Sequence, residues 1–227
     1  MSQNYTPLFI ALRYLRGRKS GFLSFISALA FISTSLGVAV LIIVSSIMNG
    51  FEKELKERVL NVIPHASIYG VNPLNDWENI ELNLYGDKNI LGISPYIETE
   101  ALIKSRFSVA GTLVNGVSPD KDKTVSVIHE YMKEGSFSNL QDNNGLIIGK
   151  LLARKLDVDL GDKVSLILPD NNSSFAGYFP RSKVFKIVGI FNVGSKDIDE
   201  TLAYVSLENA GILTGLENKI HGFRLKY

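Results

Sequence analysis

The chain contains no cysteine, which excludes a disulfide framework, a thiolate metal site and a cysteine nucleophile. No acidic residue precedes Glu52, and no charge of either sign occurs from Ser20 to Phe51. The net charge is +1, and outside the N-terminal flank no basic patch is visible, so the electrostatic footprint of a nucleic-acid binder is missing. Internal repeats, low-complexity segments and an interdomain linker are likewise absent from the sequence. Stability of whatever folds outside the uncharged run has to come from packing alone.

That uncharged run is the strongest signal present. Its most apolar part, Phe22 to Met48, rises about 1.5 Å per residue as a helix and more than spans a bilayer core of roughly 30 Å. Arg13, Arg16, Arg18 and Lys19 precede it directly, whereas all 23 Asp and Glu follow it. The positive-inside rule then places the N-terminus in the cytoplasm and everything after Met48 outside it. A cleaved signal peptide is the alternative, but its apolar region usually spans only about 7 to 15 residues.

Between Pro7 and Lys19, Leu8, Phe9, Leu12 and Leu15 recur near helical spacing, which predicts an amphipathic helix on the membrane surface or, alternatively, a basic tail without structure. Small and hydroxylated residues in the run, among them Ser27, Ser33, Thr34, Ser35 and Gly37, suit close helix packing, although hydroxyls also bond back to their own helix. Phe51 to Val62 mixes apolar and charged positions as an amphipathic stalk would. The remainder predicts strands at His65 to Val71, within Ile97 to Val117, at Lys163 to Leu168 and at Val184 to Val193. Helices are predicted at Asp76 to Tyr85 with an acidic cap, near Val125 to Lys133, and at Gly145 to Leu156. A last strand, helix and strand follow through Leu202 to Val205, Leu207 to Leu213 and His221 to Lys226. The fold class is α+β, with mixed strands and short helices, and the segment after the apolar run is long enough for one core or two small subdomains.

Motifs that carry chemistry are scarce. Gly145 to Lys150 has three residues between its glycines where a phosphate loop has four, and Leu151 stands where Ser or Thr would bind magnesium. His65, His129 and His221 form no HExxH or HxH arrangement. Asp120-Lys121-Asp122 and Asp197-Ile198-Asp199-Glu200 lack the glycine and distal glutamate of a calcium loop and read as solvated turns. No GxSxG elbow or Ser/His/Asp set is evident. The sequence predicts no catalytic residue, no metal ligand and no cofactor.

Pro169 to Pro180 is polar in its first half and then presents Phe175, Tyr178 and Phe179 just before Pro180-Arg181. Aromatics and arginine dominate binding hot spots, so a projecting arm here is a candidate partner site. The competing reading is a surface loop whose aromatics fold back on the sheet.

Three strings near the N-terminus, Phe9 to Arg18, Leu36 to Val40 and Met48 to Leu55, resemble the start of LolC/LolE-type transmembrane subunits of the lipoprotein-releasing ABC transporter, within the MacB/FtsX-like permease superfamily. The resemblance continues through Ile148 to Ala153, Leu160 to Val164, Phe179-Pro180-Arg181 and Thr201 to Val205, and so covers nearly the whole chain. It implies a cytoplasmic amphipathic segment at 1–21, a transmembrane helix at 22–48, a stalk helix at 49–64 and a MacB-like periplasmic domain of two subdomains at 65–227, with a hook-like arm at 169–180. In that family four membrane helices are expected; this chain resembles an N-terminal portion with the first of them.

The implied role is an inner-membrane, non-catalytic permease subunit that helps to release lipoproteins to a periplasmic chaperone. ATP hydrolysis would occur in a separate, LolD-like cytoplasmic chain. A LolE-like second permease subunit, or a second copy of the chain, would complete the membrane part, and a LolA-like chaperone would receive the cargo. By the same resemblance, Pro169 to Pro180 matches a chaperone-seizing hook, with Pro169, Phe175, Tyr178, Phe179 and Pro180 on it. Arg181, Ser182 and Lys183 would follow as a contact pad, and Val44, Ile47 and Met48 would border a cavity for acyl chains. The rival expectations are a related ABC efflux permease, a single-pass anchored binding or sensor domain, and a membrane-anchored hydrolase.

Overall fold

The computed structural model describes residues 9–10, 13, 21–60, 66–86, 89–142, 144–169 and 181–227. The chain divides into two compact units, Met1–Glu54 and Leu55–Tyr227.

Most of the first unit is helix α1, Gly21–Leu60, which runs through Asn49-Gly50 without a break, so that the predicted spanning segment and the predicted stalk as far as Leu60 belong to one helix, and 61–64 lie outside the described residues. Its Phe25–Lys53 stretch of 29 residues reaches a mean hydropathy of 2.4, long and apolar enough to cross a membrane. Large side chains such as Phe25, Phe31, Leu36, Leu41 and Ile43 are exposed all round it, an arrangement that lipid tolerates and water does not. The Thr34 hydroxyl donates to the Ala30 carbonyl one turn earlier at 2.9 Å, so this hydroxyl is satisfied within its own helix.

The second unit is built on one mixed sheet of nine strands: β1 (Ala66–Leu74), β2 (Gly92–Lys104), β3 (Val109–Val117), β4 (Met132–Gly135), β5 (Gly145–Gly149), β6 (Lys163–Ile167), β7 (Ser182–Phe191), β8 (Leu202–Ser206) and β9 (Ile220–Lys226). The order is β1-β9-β2-β3-β8-β5-β7-β4, and β6 bridges β2 and β7, so the pairing closes a circuit through β2, β3, β8, β5, β7 and β6. Short helices pack on it: α2 (Trp77–Leu84), α3 (Pro119–Val125), α4 (Lys150–Leu156), α5 (Lys196–Thr201) and α6 (Leu207–Thr214).

The sheet buries apolar residues on both faces, and the two-residue period of a strand sorts them. On β5, Leu146 and Ile148 enter one cluster with Ile97, Leu166, Phe185 and Phe223, while Ile147 enters the other. On β8, Ala203 and Val205 go to the first, and Tyr204 goes to the second. There the Tyr204 ring meets Phe137 and Phe191 edge-on at centroid distances of 5.8 and 5.9 Å. Burial of each such aromatic stabilises the fold by about 1.5–3 kcal/mol. Two subdomains are the expectation, whereas Leu55–Tyr227 is a single compact unit whose one continuous sheet carries a cluster on either side.

Three local expectations are corrected. Gly145–Gly149 is a fully buried strand and only Lys150–Leu156 is helical, because a five-residue apolar run covered on both faces shows no strand alternation. A 3-10 turn at Ile128–Tyr131 and strand β4 replace the helix expected near 125–133, and the helix lies earlier, at Pro119–Val125. Asp76 does precede α2, but in a left-handed conformation with no side-chain capping bond.

Candidate functional site

Strands β6 and β7 form an antiparallel pair from Lys163↔Lys186 to Ile167↔Ser182. The Leu168 amide extends the ladder by donating to the Arg181 carbonyl at 2.9 Å. Pro169 and Arg181 are therefore brought together as the two feet of the 170–180 segment. Leu102, Ile103 and Lys104 of β2 pair with the other edge of β6, which fixes those feet to the centre of the sheet. Phe175, Tyr178, Phe179 and Pro180 lie outside the described residues. Of the predicted hook and pad, the structure places Pro169, Arg181, Ser182 and Lys183.

Arg181 and Lys183 are both tied to helix α6. The Arg181 guanidinium donates from Nη1 to the Thr214 carbonyl, a cation on the exposed carbonyl end of the helix, where the dipole favours it. Gly215, at φ 75° just past that end, allows the approach; a Cβ there would lie 2.0 Å from Arg181 Nη1. Lys183 Nζ donates to Asn209 Oδ1 at 2.7 Å and sits 5.7 Å from the centroid of Phe185. Asn209 is itself held by its backbone amide, which donates to the Ser206 hydroxyl at the start of α6. The pad residues thus form a braced root, with Ser182 exposed between them.

Beside Pro169 the sheet surface opens into a mostly apolar depression of about 420 Å³, lined by Glu100, Leu102, Gly111, Leu113 and Thr201 together with Pro169. Leu102 is 46% exposed there. An apolar surface next to a cationic foot is a combination that protein interfaces use.

Val44, Ile47 and Met48 occupy positions i, i+3 and i+4 and share one face of α1, each more than half exposed. They are far from the arm in sequence and belong to the other unit.

Of the remaining sequence candidates, His65 lies outside the described residues, and His129 and His221 make contacts to backbone. The Glu98 amide donates to His221 Nδ1 at 3.1 Å, and His129 Nδ1 lies 3.1 Å from the Ser126 carbonyl. Asp199 is no solvated turn residue. Its two oxygens accept from the Val193 and Gly194 amides at 2.8 and 2.9 Å, and it is 1% exposed. Glu200 pairs with Lys155 at 2.7 Å, and that bond holds its carboxyl below the usual range. The would-be phosphate loop is closed by packing, since a Cβ on Gly149 would come within 2.2 Å of the Asp199 carbonyl.

A buried polar cluster escaped the sequence reading. Arg224 Nη2 donates to Asn115 Oδ1 and, at 3.3 Å, to Glu98 Oε2, and its guanidinium carbon lies 4.8 Å over the Tyr96 ring. Asp122, read as a solvated residue, is fully buried beside it. Neither of its oxygens has a hydrogen-bond partner among the described residues. The Ser94 hydroxyl is close enough to favour its charged form but points to the Pro95 carbonyl at 3.4 Å. Burial pushes the Asp122 carboxyl up to about 6, against smaller opposing effects of Arg224 and Ser94. The same burial raises Tyr204 and Tyr96 above the usual phenol value. These residues come from β2, β3, α3, β8 and β9, and no local pattern links them.

The chain matches the family model described as the MacB-like periplasmic core domain over residues 27–223. It is similar to the lipoprotein-releasing system transmembrane protein LolC of Neisseria meningitidis serogroup B, 37% identical over 220 residues, which are 96% of this chain and 53% of that protein. It is 36% identical over 227 residues to LolC of Xylella fastidiosa, covering 98% of this chain and 54% of that protein. Against LolE of Haemophilus influenzae it is 32% identical over 228 residues, 97% of this chain and 55% of that protein. The chain spans about half the length of the curated relatives it matches.

Proposed function

The chain belongs to the family with a MacB-like periplasmic core domain and, within it, to the LolC/LolE group, and from that premise we propose that it acts as a membrane subunit of an ATP-driven transporter that releases lipoproteins from the inner membrane. Helix α1 anchors it, with the N-terminus in the cytoplasm and residues 66–227 in the periplasm. ATP hydrolysis takes place in a separate LolD-like chain, and a LolE-like subunit or a second copy completes the membrane part.

The arm 169–180 serves as a hook for a soluble LolA-like chaperone, and Arg181, Ser182 and Lys183 follow it as a contact pad. The observation that carries this role is the paired base of the arm: Leu168 and Arg181 are joined by a ladder bond, and Arg181 and Lys183 are braced on α6. A partner pulling on such an arm works against a fixed sheet. The apolar depression beside Pro169 adds contact area. Val44, Ile47 and Met48 border the space that receives acyl chains, where each buried methylene contributes about 0.8 kcal/mol. Extraction of such chains needs the external energy that the ATPase provides.

The test is in-cell photocrosslinking from a photoreactive residue at position 179 of the complete protein, with the adduct identified by mass. A soluble lipoprotein chaperone in the adduct supports the hook. A channel protein, or no adduct from a normally folded variant, refutes it.

A further inference from the structure

A second concavity is lined in part by α6, through Leu207, Glu208, Gly211 and Ile212. About 820 Å³ in volume, it is enclosed by α2, the start of α3, α6 and the turn that follows α6, and it falls in the upper part of the range of roughly 300–1,000 Å³ typical of ligand sites. Pro95, Ile97, Leu216 and Ile220 contribute its apolar lining. Trp77 is half-buried in its wall and Ile212 is 54% exposed at its lip.

The rim is acidic. Asp76, Glu78, Glu208 and Glu217 all line it and are exposed, and none has an ion pair among the described residues. Against them stand Lys219 and Lys121, and the Lys121 charge is matched by Glu81 at 2.6 Å. These carboxylates do not converge as metal ligands: no group of three or more His, Asp or Glu suited to a metal occurs among the described residues. They are spread along opposite lips, on α2 and on α6 with its following turn. Both lips are held in left-handed backbone, at Asp76 with φ 49° and at Asn218 with φ 58°, the kind of locally constrained geometry that recurs at binding sites.

We infer that this cavity binds an extended polypeptide segment of a partner protein, one that sets a bulky apolar side chain on the floor and lysine or arginine against the acidic rim. Spread carboxylates match a chain of cationic groups better than a point charge, and the apolar floor supplies the desolvated centre that makes a rim charge specific. None of Pro169, Arg181, Ser182 and Lys183 lines the cavity, and its test reads Trp77 rather than position 179, so failure of the crosslink from position 179 leaves this site standing, and the converse holds too.

Trp77 is the single tryptophan of the chain and reports on the cavity directly. The full chain, purified in dodecyl maltoside, is titrated with a dye-labelled hexapeptide of alternating lysine and leucine, and with its glutamate–leucine counterpart. Both dye anisotropy and Trp77 emission are followed. The expected result is saturable binding of the basic peptide with a matching change in Trp77 emission, and no binding of the acidic one. Glu208→Lys together with Glu217→Lys, both at exposed positions, weakens binding by about tenfold or more, equivalent to about 1.4 kcal/mol. Equal binding of the two peptides, an anisotropy change with Trp77 silent, unchanged binding by the double variant, or no anisotropy change at about 1 mM peptide, a concentration at which a site with Kd near 1 mM is half filled, would each overturn the assignment.

Discussion

Asp122→Asn should stabilise residues 55–227 at neutral pH and lose that advantage in acid. The native carboxyl is raised from 3.8 to about 6, so each ionised Asp122 in the folded state costs about 3 kcal/mol, at about 1.4 kcal/mol per pH unit of displacement. Because the folded value lies above the unfolded one, stability from this group is complete below about pH 4. It is lost as the pH rises through 6 and is constant thereafter. Asparagine keeps the shape and removes the charge, but its buried amide still costs about 1–2 kcal/mol. The net gain at pH 7.5 is therefore about 1–2 kcal/mol, or about 2–8 °C in Tm for a unit of this size. The difference between variant and wild type should fall by about 2–3 kcal/mol between pH 7.5 and pH 4. Guanidinium titration of the full chain in detergent, followed by Trp77 emission, measures it at each pH, and subtracting wild type cancels the other carboxylates. A difference that does not vary from pH 4 to 8, or a variant less stable than wild type at pH 7.5, refutes the view that Asp122 is buried without a partner.

Other expectations concern the arm and its supports. Replacing 170–180 by a two-residue turn should leave the melting temperature within about 2 °C, a shift of under about 1 kcal/mol, because the ladder closes at Ile167↔Ser182, while chaperone crosslinking from a photoreactive residue at the exposed position 182 disappears; a collapse of the fold would show that the segment is structural. Asp199→Ala strands the buried Val193 amide and removes the part-buried bond to the Gly194 amide, and should cost about 1–3 kcal/mol by chemical denaturation. Gly215→Ala should displace Arg181 from the end of α6 and cost about 1–2 kcal/mol through the left-handed backbone, whereas Gly215→Asn, which tolerates that region, should cost less; equal costs would place the strain elsewhere.

The sequence determined what short-range physics determines. An uncharged apolar run behind four cations specifies a membrane helix, because no other structure satisfies its backbone in lipid. Alternating stretches such as Lys163 to Leu168 and Val184 to Val193 announced half-buried strands, and the 170–180 segment stood out by its turn residues and clustered aromatics. The tertiary structure decided the rest. Gly145–Gly149 became a strand because two neighbours and two layers cover it, which a five-residue apolar string does not encode. Asp122 and Asp199, alike in their acidic surroundings, diverged because one faces the sheet without a donor and the other meets two turn amides. Arg181 and Lys183 became a braced root only when the fold brought α6, more than twenty residues later, within hydrogen-bond reach of them. Burial and charge pairing are set by what comes together from distant segments, and that proximity is a property of the fold rather than of any local stretch of chain.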